Sequence, residues 1–279
     1  MLTPIAAEHF SDAVDLLAEG FPERGRAFWS EGLTLIAGWP GNIVANFPAG
    51  FLWLSKGVPV GVLLTPASSR PGLGDRVLVN LSSWYLRPDF RALAPMMLRA
   101  VCRDQRAMFT DLTPTQDVRA MLPAFGFHQI NSGISLQPTP LLALRPSARV
   151  KLRSWRYEDP IDSAAPDPDI IRFHQDRGCI ALVIDEGSSG CLVMFKPFVF
   201  RGLASAKAVY VGSHAAMANA MPAIARRLLK RGVLLVQTDP RPGMPPPFWF
   251  RSRGLWFAKG GMFDDRTDHV GSELCLLDL

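Results

Sequence analysis

The stretch WYLRPDFRALAPMML, residues 84–98, contains the helix start on which the fold and function of this chain depend. A proline is well tolerated at the first position of a helix, because its missing N–H would have no partner there, so Pro95 is predicted to open a helix. The residue before it should be a capping Ser, Thr, Asp or Asn, but it is Ala94. A helix that began earlier, with Asp89 as its cap, would press the ring of Pro95 against the carbonyl group of Arg91. Either the chain tolerates a kink, or the helix keeps its free N–H groups for a ligand outside the chain.

Helix and strand signals alternate on both sides of this stretch. The spacing of apolar residues predicts helices over residues 7–21 and 23–36, and a β-hairpin with its turn at Gly57 follows them. The predicted strand RVLVNLSSWYL, residues 76–86, leads into the helix that Pro95 opens. A strand, a short helix that ends at a glycine and a last strand complete this half of the chain.

The second half repeats part of this order. The segment APMMLRAVCRDQRAMFTDLTP, residues 94–114, aligns with MPAIARRLLKRGVLLVQTDP, residues 221–240, and Pro95 then matches Pro222. Each segment contains a predicted proline-opened helix, an arginine-rich turn and an apolar strand that ends in Thr-Asp. A strand–helix–strand unit that recurs in register indicates an internal duplication. We expect the boundary between residues 137 and 148, and an abridged second copy with little room for the two opening helices.

Composition limits the classes of function. The 279 residues are 48% hydrophobic and 20% charged, which is typical of a globular chain large enough for two domains. The net charge of +5 comes without runs of like charge, which suggests an anionic small molecule at least as much as nucleic acid. The four cysteines form no CxxC pair, so we expect a reducing, cytoplasmic compartment and no metal. No apolar run reaches the roughly 18 residues of a membrane span, and the first residues do not resemble a signal peptide.

The first half, residues 2–136, resembles the GCN5-related N-acetyltransferase (GNAT) superfamily. In that family a pattern R/Q-x-x-G-x-G/A joins the fourth strand to a helix and holds the pyrophosphate of coenzyme A on backbone N–H groups. The matching segment is RALAPM, residues 91–96, and the AFGF that ends at Phe127 is similar to the closing turn of the family. The resemblance implies an α/β (α+β) fold of two GNAT-like mixed-sheet domains in tandem, at residues 1–140 and 141–279, the second abridged.

The resemblance also implies the ligands. Acetyl-CoA or a longer acyl-CoA would be the cosubstrate, since the start of a helix carries partial positive charge and unpaired donors that bind anions. The residues that would contact it are Leu86, Arg91, Ala92, Leu93, Ala94 and Met96. The first half would bind acyl-CoA, and the second half would form an acceptor site or a structural half. The partner would be a small amine-bearing acceptor, and we expect neither nucleic acid nor a metal.

The chain departs from the family pattern at functional positions. Ala94 replaces the first glycine, Pro95 removes one donor, and Met96 stands where a small residue lets the phosphates approach. In many members a tyrosine four residues before the glycine of the closing turn protonates the leaving thiolate, and the residue here is Leu122. The general acid must therefore come from elsewhere, or water must serve, or the fold has lost catalysis.

The candidate catalytic residues are Asn80, Ser82 and Asp111. Alternation along a strand places Asn80 and Ser82 on the same side, unless a bulge shifts them. Asp111 ends a strand ahead of a proline, where a carboxylate more often forms a turn than acts as a base. The leading hypothesis is an acyl-CoA-dependent acyltransferase with direct attack on the thioester. The alternative is a catalytically inactive GNAT-fold acyl-CoA sensor or scaffold.

A proline-rich run, PGMPPPFWF at residues 242–250, has two interpretations. It would bind a partner as an extended helix, or it would form a rigid loop that borders a site.

Overall fold

The computed structural model describes residues 1–69, 76–146, 150–185, 189–240, 250–251, 254–260 and 266–277. The strands, in chain order, are β1 (Leu2–Pro4), β2 (Gly50–Ser55), β3 (Val58–Leu64), β4 (Ala67–Ser69), β5 (Val77–Leu86), β6 (Ala107–Asp111), β7 (His128–Gln129), β8 (Ile134–Pro138), β9 (Leu152–Ser154), β10 (Ile180–Asp185), β11 (Gly190–Phe200), β12 (Leu203–Val211), β13 (Leu235–Thr238), β14 (Phe250–Arg251), β15 (Phe257–Lys259) and β16 (Thr267–Asp268). The α-helices are α1 (Phe10–Gly20), α2 (Arg26–Gly38), α3 (Pro40–Ala45), α4 (Ala94–Val101), α5 (Gln116–Met121), α6 (Thr139–Ala143), α7 (Pro168–Asp176), α8 (His214–Leu229) and α9 (Glu273–Leu276). Three-ten helices cover Ala7–His9, Pro88–Leu93 and Leu122–Phe125. The proline-rich run lies outside the described residues, except for its last residue.

The opening elements follow the hydrophobic pattern of the sequence. The predicted helices α1 and α2 are confirmed, and α1 packs its apolar side against β3 and β5. The hairpin of β2 and β3 is also confirmed, and Gly57 has φ +81° in its turn, a conformation that glycine adopts without steric cost.

The described strands form two mixed sheets. The first has the order β1-β2-β3-β5-β6-β15-β7, with β4 paired to β5, and the second has the order β14-β8-β13-β12-β11-β10-β9, with β16 paired to β12. In the first sheet β5 and β6 are parallel and are joined through α4. In the second, β12 and β13 are parallel and are joined through α8. This recurrence of the crossover unit confirms the predicted tandem architecture of two mixed-sheet halves.

The two halves exchange strands. The strand β8, from the first half of the sequence, pairs with β13 in the second sheet. The strand β15, from the second half, inserts between β6 and β7 in the first sheet. Each sheet therefore contains strands from both sides of residue 140, and the division of the chain there stays a prediction.

The prediction that Pro222 opens a helix is wrong. The helix α8 begins eight residues earlier, where the Ser213 hydroxyl accepts a hydrogen bond from the Ala216 N–H at 3.2 Å and caps it. Pro222 lies inside this helix. Proline lacks the N–H of a helical bond and its ring crowds the carbonyl one turn earlier, so the surrounding packing must outweigh that cost. Pro95 and Pro222 are therefore not at equivalent helix starts, although the units that contain them correspond.

The helix α4 begins where the sequence predicts, after an unexpected extra turn. Pro95 lies in its first turn, and Leu93, at the N-cap, makes no side-chain capping bond. The three-ten helix Pro88–Leu93 precedes it, and the Ala94 N–H donates to the Arg91 carbonyl. The expectation that the Ala94 N–H is open is therefore wrong, because the chain itself supplies an acceptor.

A continuous apolar core joins the halves. It contains Trp29 from α2 and Trp39 from the junction of α2 and α3, together with Ile171 and Tyr210 from the second half, all of them nearly inaccessible to solvent. No helix in the described part of the chain has both the length and the apolar character needed to cross a membrane.

Candidate active site

A cavity opens where the two central strands of the first sheet separate. The strands β5 and β6 pair in parallel only up to Leu81 and Asp111, and β5 then continues alone on that side to Leu86. The pairing of β5 with β3 is irregular between Val62 and Leu64, and Ser83 has φ +47°, so β5 carries a bulge at this point. The resulting cavity measures about 300 Å³.

The cavity has an apolar side and a polar side. Aromatic side chains on its wall come from Phe21, Trp29 and Trp84. The polar residues that line it are Ser82, Ser83, Asp111, Thr113 and Glu273, together with Glu23 and Thr115. A pocket of this kind, mainly apolar with a few convergent polar groups, is the usual form of a small-molecule site.

Glu273 lies at the centre of the polar side. It is the first residue of α9, near the far end of the chain, and only 1% of it is exposed. Its carboxylate accepts hydrogen bonds from the hydroxyl groups of Ser82 and Thr113 and from the Ser83 backbone N–H. Its own backbone N–H donates to Asn80 Oδ1 at 3.4 Å. A residue from the second half thus completes a site built on the strands of the first.

Burial raises the pKa of Glu273 above its usual value, and the hydrogen bonds from Ser82, Thr113 and the Ser83 N–H act in the opposite direction. Each of those bonds stabilises the ionised form. Burial raises the pKa of Asp111 to about 8, with a further increase from the nearby charge of Glu273 and a smaller decrease from the Thr113 backbone N–H. At neutral pH Asp111 therefore holds a proton, and the two carboxyl groups have different environments.

The three candidate catalytic residues meet around Glu273. Asn80 and Ser82 both hydrogen bond to it, so the expectation that they share one side of β5 is confirmed. The Asn80 amide group also donates to Thr110 Oγ1 at 3.2 Å. Asp111 lies at the end of β6 on the cavity wall. Their catalytic roles stay a prediction. Glu273 was missed, because it is 191 residues from Ser82 in sequence and no motif surrounds it.

The six candidate coenzyme A contacts surround the start of α4. Leu86 is buried at the end of β5, Leu93 and Ala94 are half-buried, and Arg91 and Ala92 are exposed. Met96 is 57% exposed, so its side chain extends into solvent instead of packing over the helix start. The Ala94 N–H already donates a hydrogen bond to the Arg91 carbonyl. The roles of the six residues in coenzyme A binding stay a prediction.

Leu122, at the position of the family tyrosine, is fully buried in the apolar core with Met97 and Phe127. It supplies no proton donor.

The overall fold is shared with solved structures. A GCN5-related N-acetyltransferase from Anabaena variabilis superposes with a TM-score of 0.58 at 12% identity, over 92% of this chain and 72% of its own. The chain has the GNAT fold. A second GCN5-related N-acetyltransferase, from Kribbella flavida, gives a TM-score of 0.55 at 13% identity over 92% of this chain and 70% of its own. Eis1 from Mycobacterium abscessus gives 0.50 at 13% identity, over 97% and 74%. No protein-family model and no curated protein sequence matches the chain.

Proposed function

We propose that this GNAT-fold protein is an acyltransferase that moves an acyl group from acyl-CoA to the amine of a small molecule. The observation that carries the proposal is the pair of buried carboxyl groups, Asp111 and Glu273, on the wall of the cavity between the separated strands. Aminolysis of a thioester is accelerated by a base that takes a proton from the amine and an acid that gives one to the thiolate, and a carboxylate and a carboxylic acid can fill these two roles.

The two carboxyl groups have complementary roles in this proposal. The Glu273 carboxylate, held by three hydrogen bonds, accepts a proton from the amine as its nitrogen attacks the thioester carbon. The carbon–sulfur bond then breaks, and the neutral Asp111 donates its proton to the departing thiolate. Asp111 thus serves as the acid that Leu122 does not supply. Solvent exchange returns both groups to their starting states.

Binding of the cosubstrate is assigned to the start of α4. The exposed Arg91 and the N–H groups of the first turn other than that of Ala94 would face the pyrophosphate, since a helix start attracts anions. The aromatic side chains of Phe21, Trp29 and Trp84 would enclose the acceptor. Because α9 brings Glu273 from the second half, the acceptor site would lie between the two halves.

A second candidate is a GNAT-fold sensor or scaffold without catalysis. Two observations favour it. The Ser82 hydroxyl and the Ser83 N–H already donate hydrogen bonds to the Glu273 carboxylate, and Leu122 stands where the family has its usual acid. In this alternative the Glu273 carboxylate keeps these two donors permanently.

Ligand-dependent unfolding and thiol release distinguish these candidates. We expect coenzyme A, acetyl-CoA or a longer acyl-CoA to raise the unfolding temperature, and thiol release to depend on an added amine. Stabilisation with no thiol release from any acceptor would favour the sensor. No stabilisation by any of the three ligands would favour the scaffold.

A further inference from the structure

Two residues beyond Glu273, the same short helix contributes to a cluster of side chains of the kinds that can bind a metal. Cys275 on α9 meets His174 on α7 and Cys179, which precedes β10. The three are buried, with 5%, 1% and 7% of their surface exposed. None of them lines the acyl-transfer cavity.

The backbone builds this cluster from distant segments. The helix α7 ends at Asp176, and Gly178, with φ +86°, turns the chain back so that the Cys179 N–H donates to the His174 carbonyl at 2.9 Å. That turn brings His174 and Cys179 together. The third residue is held by Lys196, whose ammonium group donates to the Cys275 carbonyl at 2.8 Å.

The separation of two of the three ligand atoms fits a tetrahedral ion. The three ligand atoms lie within 4.8 Å of one another, and Cys275 Sγ is 3.5 Å from His174 Nδ1. A zinc ion with bonds of about 2.3 Å to sulfur and about 2.0–2.1 Å to nitrogen holds such a pair about 3.5 Å apart. Cys275 and His174 are therefore already at the separation of two ligands of one zinc ion.

A disulfide explains the cluster less well than a metal. Joining Cys179 to Cys275 would leave the His174 ring buried without its sulfur partner. Within the part of the chain that the structure describes, His174 Nε2 has no hydrogen-bond partner, and loss of the bond at Nδ1 would leave both ring nitrogens unsatisfied. A metal bound at Nδ1 satisfies that nitrogen and uses all three groups.

We propose that His174, Cys179 and Cys275 bind a zinc ion. Two thiolates and one imidazole are ligands that zinc prefers, and water completes the fourth position. On binding, each thiol releases its proton to solvent, so the two thiolates balance the charge of Zn²⁺. The ion ties α9 to α7 and to the start of β10. This inference does not depend on acyl transfer, although α9 also carries Glu273.

Metal analysis of the full chain tests the site without any activity assay. Protein purified without chelator and then dialysed against zinc should retain about one zinc ion per chain. Cys275→Ser and Cys179→Ser should each lower that content at least about tenfold, while Cys191→Ser, a buried cysteine outside the cluster, should retain it. Circular dichroism of each variant checks that it folds.

Cobalt substitution provides a second readout on the unaltered protein. Co²⁺ in the site should give thiolate-to-cobalt charge-transfer absorption, with lower intensity in Cys275→Ser than in Cys191→Ser. Failure of the unaltered protein to retain zinc or to show this absorption would overturn the proposal. So would zinc retention that Cys275→Ser leaves unchanged, or a Cys179–Cys275 disulfide that takes up no zinc after reduction.

Discussion

Replacing Asp111 with asparagine should make the protein more stable than the unaltered chain at pH 8, and this advantage should disappear at low pH. Burial, with the added charge of Glu273, raises the pKa of Asp111 from 3.8 to about 8. Each pKa unit corresponds to about 1.4 kcal/mol, so an ionised Asp111 costs the folded protein at most roughly 6 kcal/mol. Asparagine has a similar shape and no proton to lose.

The sign follows from proton binding. Between about pH 4 and pH 8, the folded chain keeps a proton on Asp111 that the unfolded chain has released. The free energy of unfolding contributed by this residue therefore falls as pH rises through that window. The cost of ionising Asp111 in the folded protein is absent below the unfolded-state pKa of 3.8 and fully present above the folded-state pKa of about 8. Changes in hydrogen bonding caused by asparagine are the same at every pH and cancel in the comparison.

Urea unfolding at about pH 5 and about pH 8 measures the effect. The difference in unfolding free energy between Asp111→Asn and the unaltered protein should change by roughly 4 kcal/mol over this range. Asp89→Asn, at an exposed carboxylate, serves as the control and should keep the pH dependence of the unaltered protein. Parallel pH curves for Asp111→Asn and the unaltered protein would refute the assignment of a buried, proton-holding Asp111.

Three further predictions concern the strands, the coenzyme and the two halves. Asn80→Ala and Ser82→Ala should each lower turnover about 10- to 100-fold, because they orient Glu273 instead of exchanging protons, and a near-total loss with folding intact would contradict this. Arg91→Glu should weaken acyl-CoA binding, measured by calorimetry, by roughly 1 to 3 kcal/mol. Arg99→Glu, in the last turn of α4, is the control and should leave that binding unchanged. Equal effects of the two substitutions would argue against a pyrophosphate site at the helix start. A fragment of residues 1–140 should show no cooperative unfolding in urea, because it lacks β15 and leaves β8 unpaired; cooperative unfolding would show that the strand exchange is dispensable.

Local sequence patterns predicted individual helices and strands, but not the exchange of β8 and β15 between the two halves. Helical spacing predicted α1 and α2, and the turn at Gly57 predicted the first hairpin, because each depends on residues close in sequence. The placement of β8 and β15 in opposite sheets depends on pairing between segments more than 90 residues apart, for which the sequence offers no signal. The prediction that Pro222 opens a helix failed for a related reason. A proline marks a helix start only when no capping residue precedes it within the same helix, and Ser213 is such a residue in α8.

The candidate site was predicted in part. Alternation along β5 placed Asn80 and Ser82 on one side, and the end of β6 placed Asp111 near them. The residue that connects them, Glu273, comes from a four-residue helix in the other half, with no periodicity or motif to distinguish it from a surface glutamate. The His174–Cys179–Cys275 cluster was hidden in the same way, since its third ligand is about a hundred residues away.

Thiol release from acetyl-CoA, measured for the unaltered protein and for Glu273→Gln with a panel of small amines, tests the proposed chemistry most directly. Glutamine keeps the size of the side chain but cannot accept the proton of the amine. Turnover should fall by about 10²- to 10⁴-fold, while acetyl-CoA binding and the unfolding temperature stay close to those of the unaltered protein. Amine-dependent release at an unchanged rate in Glu273→Gln would contradict the role of Glu273 as the base, and no release from any amine by the unaltered protein would contradict acyl transfer itself.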